Sequence, residues 1–156
     1  MTDSIACEPL RRRRRWRFYS TPSGREPVRD FLYDPRLPDI DAANIAAAMK
    51  EVAELGRAHP DVNHLNGDLW QIEIDGARVI YRLLFAEEAR YGQVLLALEI
   101  VSKKWQKARV QHIRLAKDRL ADWRHRGQVL VVCLRNDLVC FGGANHHRCC
   151  LAADQH

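Results

Sequence analysis

Between Ala77 and Ala86 the side chains sort by a period of two. Ala77, Val79, Tyr81, Leu83 and Phe85 fall on one side and form an apolar row, while Arg78, Ile80, Arg82 and Leu84 fall on the other and include two arginines. Such alternation sets a strand at a boundary, one face toward a core and the other toward solvent. The neighbouring segments follow suit. Leu69 to Ile74 precedes this strand across Asp75-Gly76, a two-residue hairpin signal, and Gln93 to Val101 follows it across a turn at Glu88 to Gly92. Three strands joined by short turns commit the middle of the chain to an antiparallel sheet.

Helical periods flank it. Arg15 to Ser20 reads as a short strand with Trp16 and Phe18 on one face, and Thr21-Pro22-Ser23-Gly24 as a turn. Glu26 to Tyr33 reads as a short helix that turns Val28, Phe31 and Leu32 inward, with Pro27 in its first turn. After the break at Asp34-Pro35-Arg36-Leu37-Pro38, a longer helix is expected from about Asp39 to Leu55, capped by Asp39 or Asp41 and stopped by Gly56. Its apolar stripe is Ile40, Ala43, Ala47, Ala48, Val52 and Leu55. His59 to Gly67 reads as a loop. A last helix is expected from Lys107 to Arg126, ending at Gly127, with Val110, Ile113, Leu120 and Trp123 on one side. The order strand, helix, helix, three strands, helix defines an α+β fold whose small, largely antiparallel sheet is covered on one face by N-terminal helices and a C-terminal helix. The expected core face carries Trp70, Ile72, Ile74, Val79, Tyr81, Leu83, Phe85, Val94, Leu96, Leu98 and Ile100. Residues 1–14 read as an arginine-rich flexible leader and 15–127 as the folded domain. Residues 128–156 form an extension in which Val129 to Leu134 and Leu138 to Phe141 read as short strands.

A chain of 156 residues has room for one core of this size. Its net charge of +5 is unevenly placed. Arg11 to Arg15 and Arg17 hold six positive charges against Asp3 and Glu8, whereas residues 18–156 carry 19 basic and 18 acidic side chains. Any anion-binding surface on the folded part is therefore local, and the arginine arm is a separate site for nucleic acid or an acidic partner. No apolar run reaches the roughly 18 residues needed to span a bilayer, and the first residues lack the apolar stretch of a signal peptide. Cytoplasmic residence without a membrane partner is expected. Cys133, Cys140, Cys149 and Cys150 crowd the tail with His146 and His147, but their spacing matches no zinc pattern, so neither metal nor cofactor is expected.

With the three strands phased together, the second sheet face collects Gln71, Glu73, Arg78, Arg82 and Glu99. Lys103 lies just past the last strand, and Lys104 and Lys107 flank it on the way into the final helix. A guanidinium matches phosphate oxygens with two parallel hydrogen bonds and keeps its charge, so phosphate is the expected ligand. Cleaving RNA through its 2′-hydroxyl needs a base, cations around the phosphorane and an acid for the leaving oxygen. Glu73 or Glu99 supplies the base, a lysine shares proton transfer, and Arg82, Lys103 and Gln71 add contacts. Trp105, between lysines, offers a stacking surface. Glu73 and Glu99 also read as ordinary ion-pair partners of Arg78 and Arg82 on a solvated face. His59 and His64 read as loop polar residues, and Trp16, Trp70 and Trp123 as core.

Several separate stretches share order and spacing with one family. Arg17-Phe18-Tyr19 with Thr21 to Val28, the Glu51-to-Gly56 helix end, Leu65-x-Gly67-Asp68-Leu69-Trp70-x-Ile72, Gly76-Ala77-Arg78-Val79-Ile80-Tyr81-Arg82 and Ser102-Lys103-Lys104-x-x-Lys107 resemble the HigB-like, phage-derived branch of the RelE/ParE toxin superfamily. The resemblance covers roughly residues 16–127. It implies a RelE-like α+β fold, a type II toxin neutralised by a cognate antitoxin, and metal-independent cleavage of mRNA in the ribosomal A site. By position Arg78 resembles the phosphate-holding arginine, and Lys104 the basic residue after the last strand, with Lys103 and Lys107 beside it. Gln71 and Glu73 stand where RelE-type ribonucleases carry lysines, Glu99 and Trp105 where this branch often shows His and Thr, and Ala108-Arg109 where a Thr-Pro is common. Two alternatives accompany this reading: a ParE-like inhibitor of DNA gyrase, and a catalytically weakened homologue acting as a binding module.

Overall fold

The central strands form, with two others, a five-stranded sheet in a computed structural model of the protein, which describes residues 14–89, 93–102 and 108–135. Its strands are β1 (Arg15–Phe18), β2 (Val62–Asn66), β3 (Leu69–Asp75), β4 (Ile80–Glu88) and β5 (Val94–Ser102), in the spatial order β1-β5-β4-β3-β2. Only β1 and β5 pair in parallel. Helices α1 (Pro27–Leu32) and α2 (Asp39–Leu55) lie between β1 and β2, and α3 (Ala108–Arg135) follows β5. This is the expected RelE-like α+β arrangement, with β2 as an addition. Val62–Asn66 occupies part of the stretch read as a loop; two asparagines and a histidine hide its alternation, and its pairing with β3 supplies the order that its sequence lacks.

α1 and α2 cover one face. Val28, Ile45, Met49 and Val52 pack with Ile72, Ile74, Tyr81, Leu83, Phe85, Leu95, Ala97 and Ile100, and Trp16 meets Phe85 edge-on at 5.3 Å. Such an aromatic pair adds about 0.5–1.5 kcal/mol beyond its area burial. α2 has the expected bounds but is rotated from the expected stripe: Asp41, Ile45, Met49 and Val52 point inward, while Ile40 and Leu55 are exposed. Neither Asp39 nor Asp41 caps it. Pro38 holds the N-cap position, and Asp41 turns toward the sheet. Gly56 ends the helix at φ +60°, as expected of a glycine stop.

β5 departs from a simple alternation. Leu84 pairs with Glu99 but Phe85 pairs with Ala97, which leaves Leu98 as the extra residue of a β-bulge. Beyond the bulge the face inverts, so Leu95 and Ala97 join the core where Val94, Leu96 and Leu98 were expected.

The second face is not open. Leu69, Gln71, Leu84, Ala86 and Leu96 are buried on it, and α3 covers it through His112, Ala116, Arg119 and Leu120, a stripe of helical spacing. Val110, expected inward, is exposed. α3 also continues through Gly127 to Arg135, where a stop and then a strand over Val129 to Leu134 were expected. Two compact units divide within this helix, residues 1–121 and 122–156. The first contains the sheet; in the second, Arg126 pairs with Asp122 at 2.7 Å one turn away. The expected strand at Leu138 to Phe141, the residues His146, His147, Cys140, Cys149 and Cys150, and nearly all of the leader lie outside the described residues.

Candidate functional site

Arg78 sits in the connection between β3 and β4. Asp75 pairs with Ile80, so the connection comprises the four residues 76–79 rather than the two-residue turn that Asp-Gly implied, and the Gly76 N–H donates to the Val79 carbonyl at 2.8 Å. Two side chains of α2 grip it. The buried Asp41 carboxylate accepts the Ala77 N–H through Oδ1 and the Tyr81 hydroxyl through Oδ2, each at 2.7 Å, and Asn44 donates to the Asp75 carbonyl at 3.0 Å. A Cβ on Gly76 would lie 2.7 Å from the Val79 oxygen and 2.9 Å from the Asp41 Cγ, so only glycine fits this close approach. Burial, reinforced by the hydrogen bond to Asp41, pushes the Tyr81 phenol up to about 12.

Arg78 itself is exposed, and its side chain takes no hydrogen bond or ion pair among the described residues. That contrasts with Arg29, Arg36, Arg57, Arg82 and Arg119, each of which faces a carboxylate. Ser102, the last residue of β5, pairs with Tyr81 at the same end of the sheet as this turn, and Lys103, Lys104, Trp105 and Lys107 follow it in the sequence. Those four residues lie outside the described ones.

The other candidates belong to the covered face. Glu73 and Arg82 stand opposite each other on β3 and β4; Arg82 Nε donates to Glu73 Oε1 at 2.9 Å, and Gln71 Nε2 donates to the same oxygen at 3.2 Å. Arg82 is 13% exposed at its side chain and Gln71 is buried, so both are directed at Glu73 rather than at solvent. Glu99 is held beneath α3 by Arg119, which also donates to the Leu98 carbonyl freed at the bulge; His112 Nδ1 stands 3.8 Å from the second Glu99 oxygen. Burial raises the Glu99 pKa, opposed by the charges of Arg119 and His112. The covered face therefore holds two internal ion pairs, and Arg78 is set apart from both. His112 and Arg119 are partners that the sequence reading missed. Their spacing of seven on one helix was the available signal, obscured by a stripe drawn through Val110.

His59 and His64 both take structural roles, but His64 lies on β2 rather than in the expected loop. His59 is buried, 3.0 Å from Glu51 and accepting the Asp61 N–H, while His64 donates to the Gly67 carbonyl and leans on Trp70, whose other neighbour is Arg57 at 4.5 Å. Among the described residues no three His, Cys, Asp or Glu side chains gather as a metal site, and no helix among them is long and apolar enough to cross a membrane.

A five-stranded, mostly antiparallel sheet with a solvent-facing arginine braced at one end defines an α+β protein of RelE-like build. Residues 35–121, more than half of the chain, match the family described as phage-derived protein Gp49-like (DUF891), and the chain belongs to that family. The family is toxin-like and related to RelE, and membership implies an antitoxin partner. The matched span runs from the break before α2 through the Arg78 turn and into α3. No curated protein matches the chain.

Proposed function

We propose that this protein is the toxin of a type II toxin–antitoxin pair, of the HigB-like branch, and that it arrests translation in the cytoplasm by cutting mRNA on the ribosome. Arg78 carries the reading. It is an exposed guanidinium without a partner among the described residues, on a turn fixed by Asp41, Asn44 and Gly76. A cation held in place before its ligand arrives stabilises developing phosphorane charge without reorganisation. The sequence resemblance independently puts the phosphate-holding arginine of the family at this position. Proton transfer falls to Lys104 and Lys107, with Lys103 and Trp105 as RNA contacts, because Glu73 and Glu99 are engaged by Arg82 and Arg119. That same engagement favours a second reading, a toxin that binds without cutting, as a ParE-like gyrase inhibitor does.

Brief induction of the chain without its antitoxin, followed by mapping of mRNA 5′ ends and assay of plasmid supercoiling, tests the choice. New mRNA ends within seconds to minutes, with supercoiling intact, are expected. Gyrase-dependent DNA breaks with intact mRNA would establish the second reading instead. Cleavage on purified ribosomes is expected to persist when free divalent ions are lowered to the minimum that keeps subunits joined; a requirement for a specific metal in the chemical step would contradict the mechanism.

A further inference from the structure

Arg15 and Arg17 share with Arg78 the absence of a carboxylate partner among the described residues, but at the opposite end of the sheet. Both are exposed and project from one face of β1, in register with Val94 and Leu96, about 7 Å apart on extended backbone. Among the described residues β1 is an edge strand paired only with β5. Arg11 to Arg14 precede it directly, so six arginines in seven residues run into a solvent-facing strand while residues 18–156 are nearly neutral. Like charges this close repel one another. Arg25, Arg29, Arg36, Arg57, Arg82, Arg119 and Arg126 each face a carboxylate, and among the described residues none faces Arg15 or Arg17. Trp16, the aromatic residue between them, is committed to the core: its Nε1 donates to the Met49 carbonyl at 2.6 Å and its ring packs on Phe85. The strand therefore offers cations in a row and no ring for base stacking.

We infer that β1, through Arg15 and Arg17, is a binding site for the phosphodiester backbone of RNA, separate from the Arg78 turn. RNA as the polyanion rests on the function proposed above. A row of guanidinium groups without a base-reading side chain holds a strand independently of its sequence. Val94 pairs with Arg15 and Ser102 with Tyr81, so the length of β5, about 25 Å, separates this contact from Arg78. An RNA engaged at the turn is thus tethered at a second point, which raises affinity without altering the bond that is cut.

The test is fluorescence anisotropy of the full-length chain with a labelled single-stranded RNA 20-mer and with a labelled RNA hairpin, over a series of salt concentrations. Each single-strand phosphate contact contributes about 0.7 to the slope of log K against log salt. Arg15→Gln/Arg17→Gln should flatten that slope by about 1.4 on the 20-mer and weaken all sequences alike, with Arg15→Lys/Arg17→Lys restoring it. A loss confined to the 20-mer identifies messenger-type strands as the ligand, and one confined to the hairpin identifies structured, ribosomal-type RNA. An unchanged slope on both RNAs, in a variant that melts like the parent, overturns the inference. Equal affinity for polyglutamate with the same dependence on Arg15 and Arg17 overturns it as well, by making the strand an acidic-protein site. Because these readings need no cleavage, a chain that binds RNA through Arg15 and Arg17 but cuts no mRNA would defeat the proposed function and leave this site standing.

Discussion

Asp41 shows how one residue couples the helical layer to the candidate site. Its position at the start of α2 suits a cap, but the carboxylate is buried and answers two donors of the Arg78 turn instead. Asp41→Ala leaves both donors without their acceptor, which should cost roughly 2–3 kcal/mol of stability, measured as a fall in urea midpoint. The Tyr81 phenol gives a second readout. Its folded pKa, about 12, lies above the ~10 of an unfolded tyrosine, so the folded state holds the proton more tightly. Stability should be fully present below about pH 10 and decline between there and about pH 12, followed by phenolate absorbance and by urea midpoint at each pH. Asp41→Ala should narrow that window. Gly76→Ala drives a Cβ into backbone oxygen and the Asp41 carboxylate, and should destabilise by roughly 1–3 kcal/mol, shown by thermal melting.

At the scale of elements, legibility followed the strength of local pattern. β3 and β4 could be read directly because their alternation is long and bounded by glycine, and the limits of α2 because Pro38 and Gly56 punctuate it. β2 could not, since pairing with β3 outweighs its polar composition. The bulge at Leu98 inverted half of β5, and nothing in Val94 to Leu98, apolar throughout, marks where an extra residue enters. α2 was placed correctly in sequence but wrongly in rotation, because Asp41 gains more from two buried donors than from solvent. The covered second face was the largest surprise, and it came from α3 bearing Arg119 and His112 in what looks like an ordinary charged helix. Arg119→Met should test that cover. It strands the Glu99 carboxylate, 13% exposed, and should cost roughly 2–3 kcal/mol, with hydrogen exchange accelerated at the Ile113 to Leu120 amides. If those amides exchange as in the parent, Arg119 does not hold α3 to the sheet.

For the whole molecule, the chain's own pairing of charges separates structure from function. Glu73 with Arg82, and Glu99 with Arg119, hold the sheet and its cover together; Arg78 is exposed on a turn that three other residues keep in shape. Sequence resemblance brought Arg78 forward, and only the geometry distinguished it from the arginines around it. The most direct measurement compares the parent chain, Arg78→Ala and Arg78→Lys in a reconstituted translation reaction with a defined mRNA, scoring cut message by primer extension. The account predicts that Arg78→Ala lowers the cleavage rate by about 100- to 1,000-fold while melting within a degree or two of the parent, with Arg78→Lys only partly restoring it because a point charge lacks the planar fork. Cleavage by Arg78→Ala at the parent's rate would contradict the claim that this turn holds the scissile phosphate.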